Sequence, residues 1–298
     1  MEKLTLGLEW FLNPDHVPLI LGQREGWFEE AGIELDLVEP EEHLDPMEQI
    51  QQGEMDLAIT EPLHLVEDVA EGRPAVGIGR FLHTNGGAMF LESSGIERPR
   101  DMAGKRIQYP GAPGPGGPAI VGTMIEADGG EYDPDDFEPV NNGFYHTEAL
   151  LEEMADVATL AFYNFEVVEA RHLGAEADFF ALKDWGVPDF CQLIFTTSEQ
   201  QLDRQEETFG RFLEVVEQGI DYLQQHPFKA RAAYFDATGE DPDSALVRDI
   251  FRATTGCFTF DFSMTDQYYD RLQRWMAENG LIDEVADPGA YWTNELVL

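Results

Sequence analysis

The runs Leu4-Thr5-Leu6-Gly7-Leu8-Glu9-Trp10, Val17 to Ala31 and Ile33-Glu34-Leu35-Asp36-Leu37-Val38 decide the fold. The outer two alternate apolar and polar residues as half-buried strands do, and the middle one is long and apolar enough for a helix that Gly32 stops. Met47 to Gln52 then reads as a helix, Met55 to Thr60 as a short apolar strand, and Leu63 to Ala70 as a helix ending before Gly72. Strands separated by helices of this length imply right-handed crossovers and a parallel sheet, with ligands expected beyond the carboxyl ends of the strands. Trp10 and Thr60 fall at such ends.

A second α/β series follows from Gly86: strands at Ala88–Glu92 and Arg106–Tyr109, a helix at Pro118–Ala127, and strands at Phe137–Val140 and Val157–Phe162. The segments Ala75–His83 and Gln192–Thr197 read as crossovers out to a second lobe and back. Residues 1–83 plus 193–298 then form a discontinuous first lobe, and 84–192 the second. The 298 residues suit two cores of ordinary size better than one. Phe209–Gln225 and Met264–Asn279 carry apolar residues at helical spacing and are expected to pack on the first lobe.

The chain holds 18 Lys and Arg against 59 Asp and Glu, a net charge of −41. No basic stripe is available to displace counterions from a polyanion, which argues against nucleic acid as a partner and against anionic membranes. The acids are spread along the chain rather than gathered in a tail, the pattern of a halophilic, acidic surface over an ordinary fold. Cys191 and Cys257 offer neither a disulfide framework nor a thiolate metal cluster. The start, Met1-Glu2-Lys3, leads directly into a strand with no visible export signal. The expectation is cytoplasmic for a full-length chain and extracytoplasmic for a mature form, without membrane insertion.

Between the strand ending at Tyr109 and the next helix lies Pro110-Gly111-Ala112-Pro113-Gly114-Pro115-Gly116-Gly117-Pro118. It permits close approach of backbone to a phosphate or formyl oxygen, and equally it makes a rigid turn; its spacing matches neither the Walker nor the dinucleotide pattern. His16, His64, His83, Asp15 and Glu61 show no diagnostic metal-ligand spacing, so no metal is expected.

Leu8-Glu9-Trp10-Phe11-Leu12-Asn13-Pro14-Asp15-His16, with Gly26-Trp27-Phe28 and Ala31-Gly32-Ile33, resembles the opening of thiamine-pyrimidine solute-binding proteins, relatives of the fungal thiamine pyrimidine synthase. The likeness continues through Gly53–Ala58, Gly104–Ile107, Ala161–Glu166 and Gly186–Phe190, over roughly the first two thirds of the chain. It implies an α/β fold of the type II periplasmic-binding-protein kind: two lobes joined by two crossover strands, with a ligand cleft between them. Taken without the family, Trp10 reads as core and Glu166 as one acid among many. The resemblance instead implies that Trp10 stacks on a pyrimidine ring, that Tyr163 packs on or caps it, and that Glu166 hydrogen-bonds its amino group and ring nitrogen. Asn13, His16, Thr60, Glu61, His64, Tyr109, Gly111 and Phe190 complete the expected ligand-binding set. Glu9 stands where relatives commonly have Asn.

The expected function is capture of formylaminopyrimidine or a related hydroxymethylpyrimidine by lobe closure, for an ABC permease or for salvage, with no catalytic residue and no cofactor. Replacing Glu166 with Ala should abolish pyrimidine affinity while leaving the melting curve nearly intact. The alternative is a synthase-like enzyme of thiamine biosynthesis using pyridoxal phosphate. That chemistry holds the aldehyde on a lysine and draws on a donor histidine. Here the lysine position is Thr60, His64 matches the histidine, and of the synthase's cysteine-rich run only Phe190-Cys191 remains. Binding without covalent attachment of pyridoxal phosphate stays open.

Overall fold

The computed structural model describes residues 1–40 and 46–297. They divide into two compact units, Met1–His83 with Gln192–Gln273 and Glu284–Leu298, and Thr84–Cys191 with Arg274–Asp283.

The first unit opens with β1 (Glu2–Gly7), α1 (Val17–Arg24), α2 (Trp27–Glu30), β2 (Ile33–Val38), α3 (Pro46–Gln52), β3 (Leu57–Thr60), α4 (Pro62–Ala70) and β4 (Ala75–His83). The single helix expected over Val17–Ala31 is two, because Gly26 takes a left-handed conformation (φ 77°) that ends the first and starts the second. β1 stops at Gly7 instead of running to Trp10, so residues 8–16 form a loop ending in a short 3-10 turn at Pro14–His16.

The second unit holds β5 (Gly86–Leu91), β6 (Arg106–Gln108), α5 (Gly116–Ala127), β7 (Glu138–Val140), α6 (His146–Leu151), β8 (Val157–Phe162), α7 (Glu166–His172) and β9 (Ala177–Ala181). The chain then returns through β10 (Gln192–Ser198) into α8 (Glu199–Gln225), α9 (Pro227–Thr238), α10 (Ala245–Thr254) and α11 (Asp266–Glu278).

The sheet of the first unit has the order β2-β1-β3-β10-β4. β1 is parallel to β2 and β3, as the sequence implies, but β10 is antiparallel to both β3 and β4, so the sheet is mixed. The two crossover strands pair along their length, from Gln192 opposite His83 to Ser198 opposite Ala75; exit and re-entry therefore lie side by side. The core gathers Leu4 and Leu6 from β1, Leu19 and Leu21 from α1, Phe81, Phe195, and Phe212, Val216 and Ile220 from α8. α1 buries every residue from Val17 to Gly22, which is why its sequence lacks a polar stripe.

The second sheet runs β7-β6-β8-β5-β9 and is also mixed, with β6 parallel to β7 and β8, and β5 antiparallel to β8 and β9. Opposite β5 the register of β8 skips Leu160, which has a positive φ of 61° and forms a bulge. Ala158, Ala161, Val167 and Ala170 pack with Ala149 and Leu150 of α6 in a core of small side chains. Residues 264–279 do not all belong to the first unit, contrary to the sequence expectation. From Arg274 onward they join the second, where Trp275 donates its indole N–H to the Thr123 hydroxyl at 3.0 Å and lies 6.0 Å from the Phe190 ring.

Candidate functional site

Within the first unit, β1 and β3 are adjacent and parallel, so the loops after them share one sheet edge. The β1 loop is fixed by hydrogen bonds from its own residues. Asn13 caps the turn: its carbonyl oxygen accepts from the Asp15 N–H at 2.8 Å and its amide donates to the Phe11 carbonyl at 3.0 Å. Nδ1 of His16 accepts from the Asn13 backbone N–H at 3.1 Å. A ring nitrogen that accepts carries no proton, so the neutral ring has its hydrogen on Nε2, which lies 3.1 and 3.0 Å from the two Glu9 carboxylate oxygens. Burial disfavours charging His16, but Glu9, with Asp15 and Glu39, outweighs it and shifts the imidazole upward from its ordinary value. Glu39 at the end of β2 also accepts from the Leu12 N–H at 2.8 Å. Trp10, half-buried, sits on this braced loop with the exposed Phe11 ring 4.3 Å away.

On the β3 side, Thr60 is 5 % exposed and its hydroxyl lies 3.1 Å from Nδ1 of His64, which is exposed on the first turn of α4. Glu61 precedes that helix, and its carbonyl accepts from the His64 N–H at 3.1 Å. The structure thus joins Glu9, Asn13 and His16 in one array and Thr60 with His64 in another.

In the second unit, β6 and β8 are likewise adjacent and parallel, and Tyr109 and Tyr163 follow their carboxyl ends. Tyr109 is buried beneath the glycine loop; its hydroxyl donates to the Gly114 carbonyl at 2.5 Å, and a Cβ on Gly117 would lie 2.3 Å from its ring. Gly111 adopts a φ of 79°, which a side chain would strain, and its carbonyl accepts from the Gly114 N–H at 2.9 Å. Tyr163 is 42 % exposed, edge-on to Phe179 at 5.5 Å. Arg171, which sequence reasoning missed, stands over the Tyr163 ring at 5.4 Å and donates to its hydroxyl at 3.2 Å. Those two residues are eight apart across the start of α7, a spacing with no local signal.

Glu166 is 4 % exposed at the first position of α7, and one carboxylate oxygen accepts from the Phe162 N–H at 2.7 Å. It therefore has a structural duty besides any contact with a ligand: Ala would remove the acceptor of that part-buried N–H, so Glu166→Ala is expected to lower the melting temperature as well as to affect any ligand contact. Phe190 is fully buried against Trp275. Among the described residues, no group of three or more His, Cys, Asp or Glu is placed to hold a metal ion, and no helix is long and apolar enough to cross a membrane.

The profile described as NMT1/THI5 like matches residues 13–230, more than half of the chain. The chain belongs to the NMT1/THI5-like family. It is 29% identical to a 4-amino-5-hydroxymethyl-2-methylpyrimidine phosphate synthase of Legionella pneumophila, over 99% of this chain and 92% of that protein. It is 26% identical to the formylaminopyrimidine-binding protein of Halalkalibacterium halodurans, over 77% of this chain and 69% of that one. In fold it is similar to the alkanesulfonate-binding protein SsuA of Xanthomonas axonopodis, with a TM-score of 0.74, 14% identity and 99% of each chain covered. This NMT1/THI5-like chain therefore has the two-lobed α/β fold of the periplasmic binding proteins, in a family whose members include both synthases and binding proteins.

Proposed function

We propose that the chain is a binding protein for a thiamine-pyrimidine precursor, formylaminopyrimidine or a hydroxymethylpyrimidine, which it hands to an ABC permease or to salvage enzymes. The observation that carries this reading is the hydrogen-bonded loop 9–16, in which bonds among Glu9, Asn13, Asp15 and His16 brace the backbone on both sides of Trp10, and the Glu9 carboxylate directly precedes it in the chain. A fixed aromatic face and a few oriented acceptors suit a flat heteroaromatic amine. The second unit by itself carries an exposed aromatic ring, Tyr163, and a buried carboxylate, Glu166. Family membership and the likeness to a formylaminopyrimidine-binding protein support the same class of ligand.

The second reading, a synthase, is favoured by the Legionella relative's coverage of nearly the whole chain. The residues here do not fit covalently held pyridoxal phosphate. Thr60 has no amine to condense with the aldehyde, and its hydroxyl is engaged with His64.

Calorimetry with formylaminopyrimidine, hydroxymethylpyrimidine, an alkanesulfonate, nitrate and an amino acid separates the ligand classes. Saturable one-to-one binding of the pyrimidines alone is expected, whereas preference for any of the other three redirects the assignment within the fold. Mass measurement of His64 after incubation with iron and pyridoxal phosphate should show no change; loss of mass there would establish the synthase.

A further inference from the structure

His16 is completely buried and both ring nitrogens are used, Nδ1 by the Asn13 N–H and Nε2 by Glu9. The imidazole therefore holds the Glu9 carboxylate from behind in one orientation. A carboxylate offers about four acceptor positions, of which a single N–H occupies at most two. The Glu9 side chain is 19 % exposed, so part of it reaches the surface, immediately before Trp10 in the chain. Residues 8–16, 38–40 and 60–64, which follow the three parallel strands, contain Glu9, Asp15, Glu39 and Glu61 and no lysine or arginine. These first-unit segments thus supply acceptors and negative charge and no cationic side chain of their own to receive a phosphate.

We infer that Glu9, oriented by His16, is a specificity-determining residue that accepts from the amino group of an unphosphorylated heteroaromatic ligand and excludes the phosphate ester of the same ring. This rests on the pyrimidine reading above and sharpens it. A neutral amide at position 9 could bond His16 or the ligand but would not repel a phosphate. The carboxylate does both, since a charged acceptor strengthens the bond to an amine and a like charge opposes an ester.

The test is calorimetry on the full chain, wild type and Glu9→Gln, with 4-amino-5-hydroxymethyl-2-methylpyrimidine, its 4-oxo analogue and its phosphate ester. Wild type should favour the amino compound at least tenfold over the oxo analogue and about a hundredfold over the ester. Glu9→Gln keeps the side-chain length and an acceptor for His16. It should lose at least tenfold in affinity for the amino compound while its affinity for the ester holds or rises. Unchanged discrimination in a Glu9→Gln protein with a wild-type melting curve overturns the inference and leaves the pyrimidine assignment standing. Wild type binding the ester as tightly as the amino compound overturns it whatever the variant does. Failure of wild type to bind any of the three, and formylaminopyrimidine as well, removes the pyrimidine reading itself, a result distinguishable from the other two.

Discussion

Single residues of this chain serve the fold and the candidate site together. Glu166 caps a strand end, so Glu166→Gln, which keeps an oxygen for the Phe162 N–H, is the variant that separates ligand contact from stability. His146 shows a purely structural case. It is 3 % exposed, its Nδ1 is buried without a hydrogen-bond partner, and burial pushes its pKa down to about 4. In the unfolded chain the ring titrates at its ordinary value of about 6.5. Its contribution to stability is therefore complete above that value and is lost as pH falls toward 4, at most by roughly 3 kcal/mol. Denaturant unfolding of His146→Leu should show a flatter pH dependence across that window; the wild-type slope in the variant would contradict the assignment. Glu67 has the opposite sign. Burial, with Asp68 and Glu71 beside it, raises its carboxyl to about 7, so its penalty appears as pH rises from about 4.5 through 7. Glu67→Gln should gain stability relative to wild type at pH 8 and much less at pH 4, and an equal gain at both would contradict this origin.

At the scale of elements, α1 and α8 meet at Gly219, where a Cβ would lie 2.6 Å from the Pro18 carbonyl oxygen. Backbone on both sides cannot yield as a flexible side chain can, so Gly219→Ala should cost about 1–3 kcal/mol despite alanine's better helix propensity. A melting curve equal to wild type would show the helices free to separate there. The strands and helices built on periodic apolar residues were legible in the sequence. β2, both crossover strands and the end of α5 fall where hydrophobic patterning puts them, because burial on a sheet face or helix stripe writes that pattern directly. Other features leave no local mark. β1 ends early because, beyond the Leu8 N–H that still bonds the Val38 carbonyl, the loop bonds within itself and to Glu39 rather than continuing the ladder, and the partners lie up to 27 positions apart. The bulge at Leu160 was invisible because a leucine gives no hint of positive φ, yet by skipping one residue it reverses which face Ala161 and Phe162 present. In the candidate site, Trp10, Tyr163 and Glu166 were picked out by resemblance. The Glu9–His16 pair and Arg171 over the Tyr163 ring emerge only in the folded chain.

Across the whole molecule, 59 acids against 18 lysines and arginines make self-repulsion the dominant long-range electrostatic effect. Molar salt shortens the screening length to about 3 Å, so the melting temperature should rise from dilute buffer to molar KCl, and an unchanged value would contradict a salt-adapted surface. The same charge disfavours phosphate-bearing ligands at long range and a neutral pyrimidine hardly at all, in agreement with the local chemistry of Glu9. Titrations of the neutral pyrimidines therefore belong in molar KCl. The central claim is that loop 9–16 holds Trp10 as the platform for a flat aminopyrimidine. Its most direct test is calorimetric titration of formylaminopyrimidine into wild type and Trp10→Ala under those conditions, with matched melting curves. Saturable binding to wild type that weakens at least tenfold in Trp10→Ala is the predicted result, and equal affinity in the two proteins would contradict it.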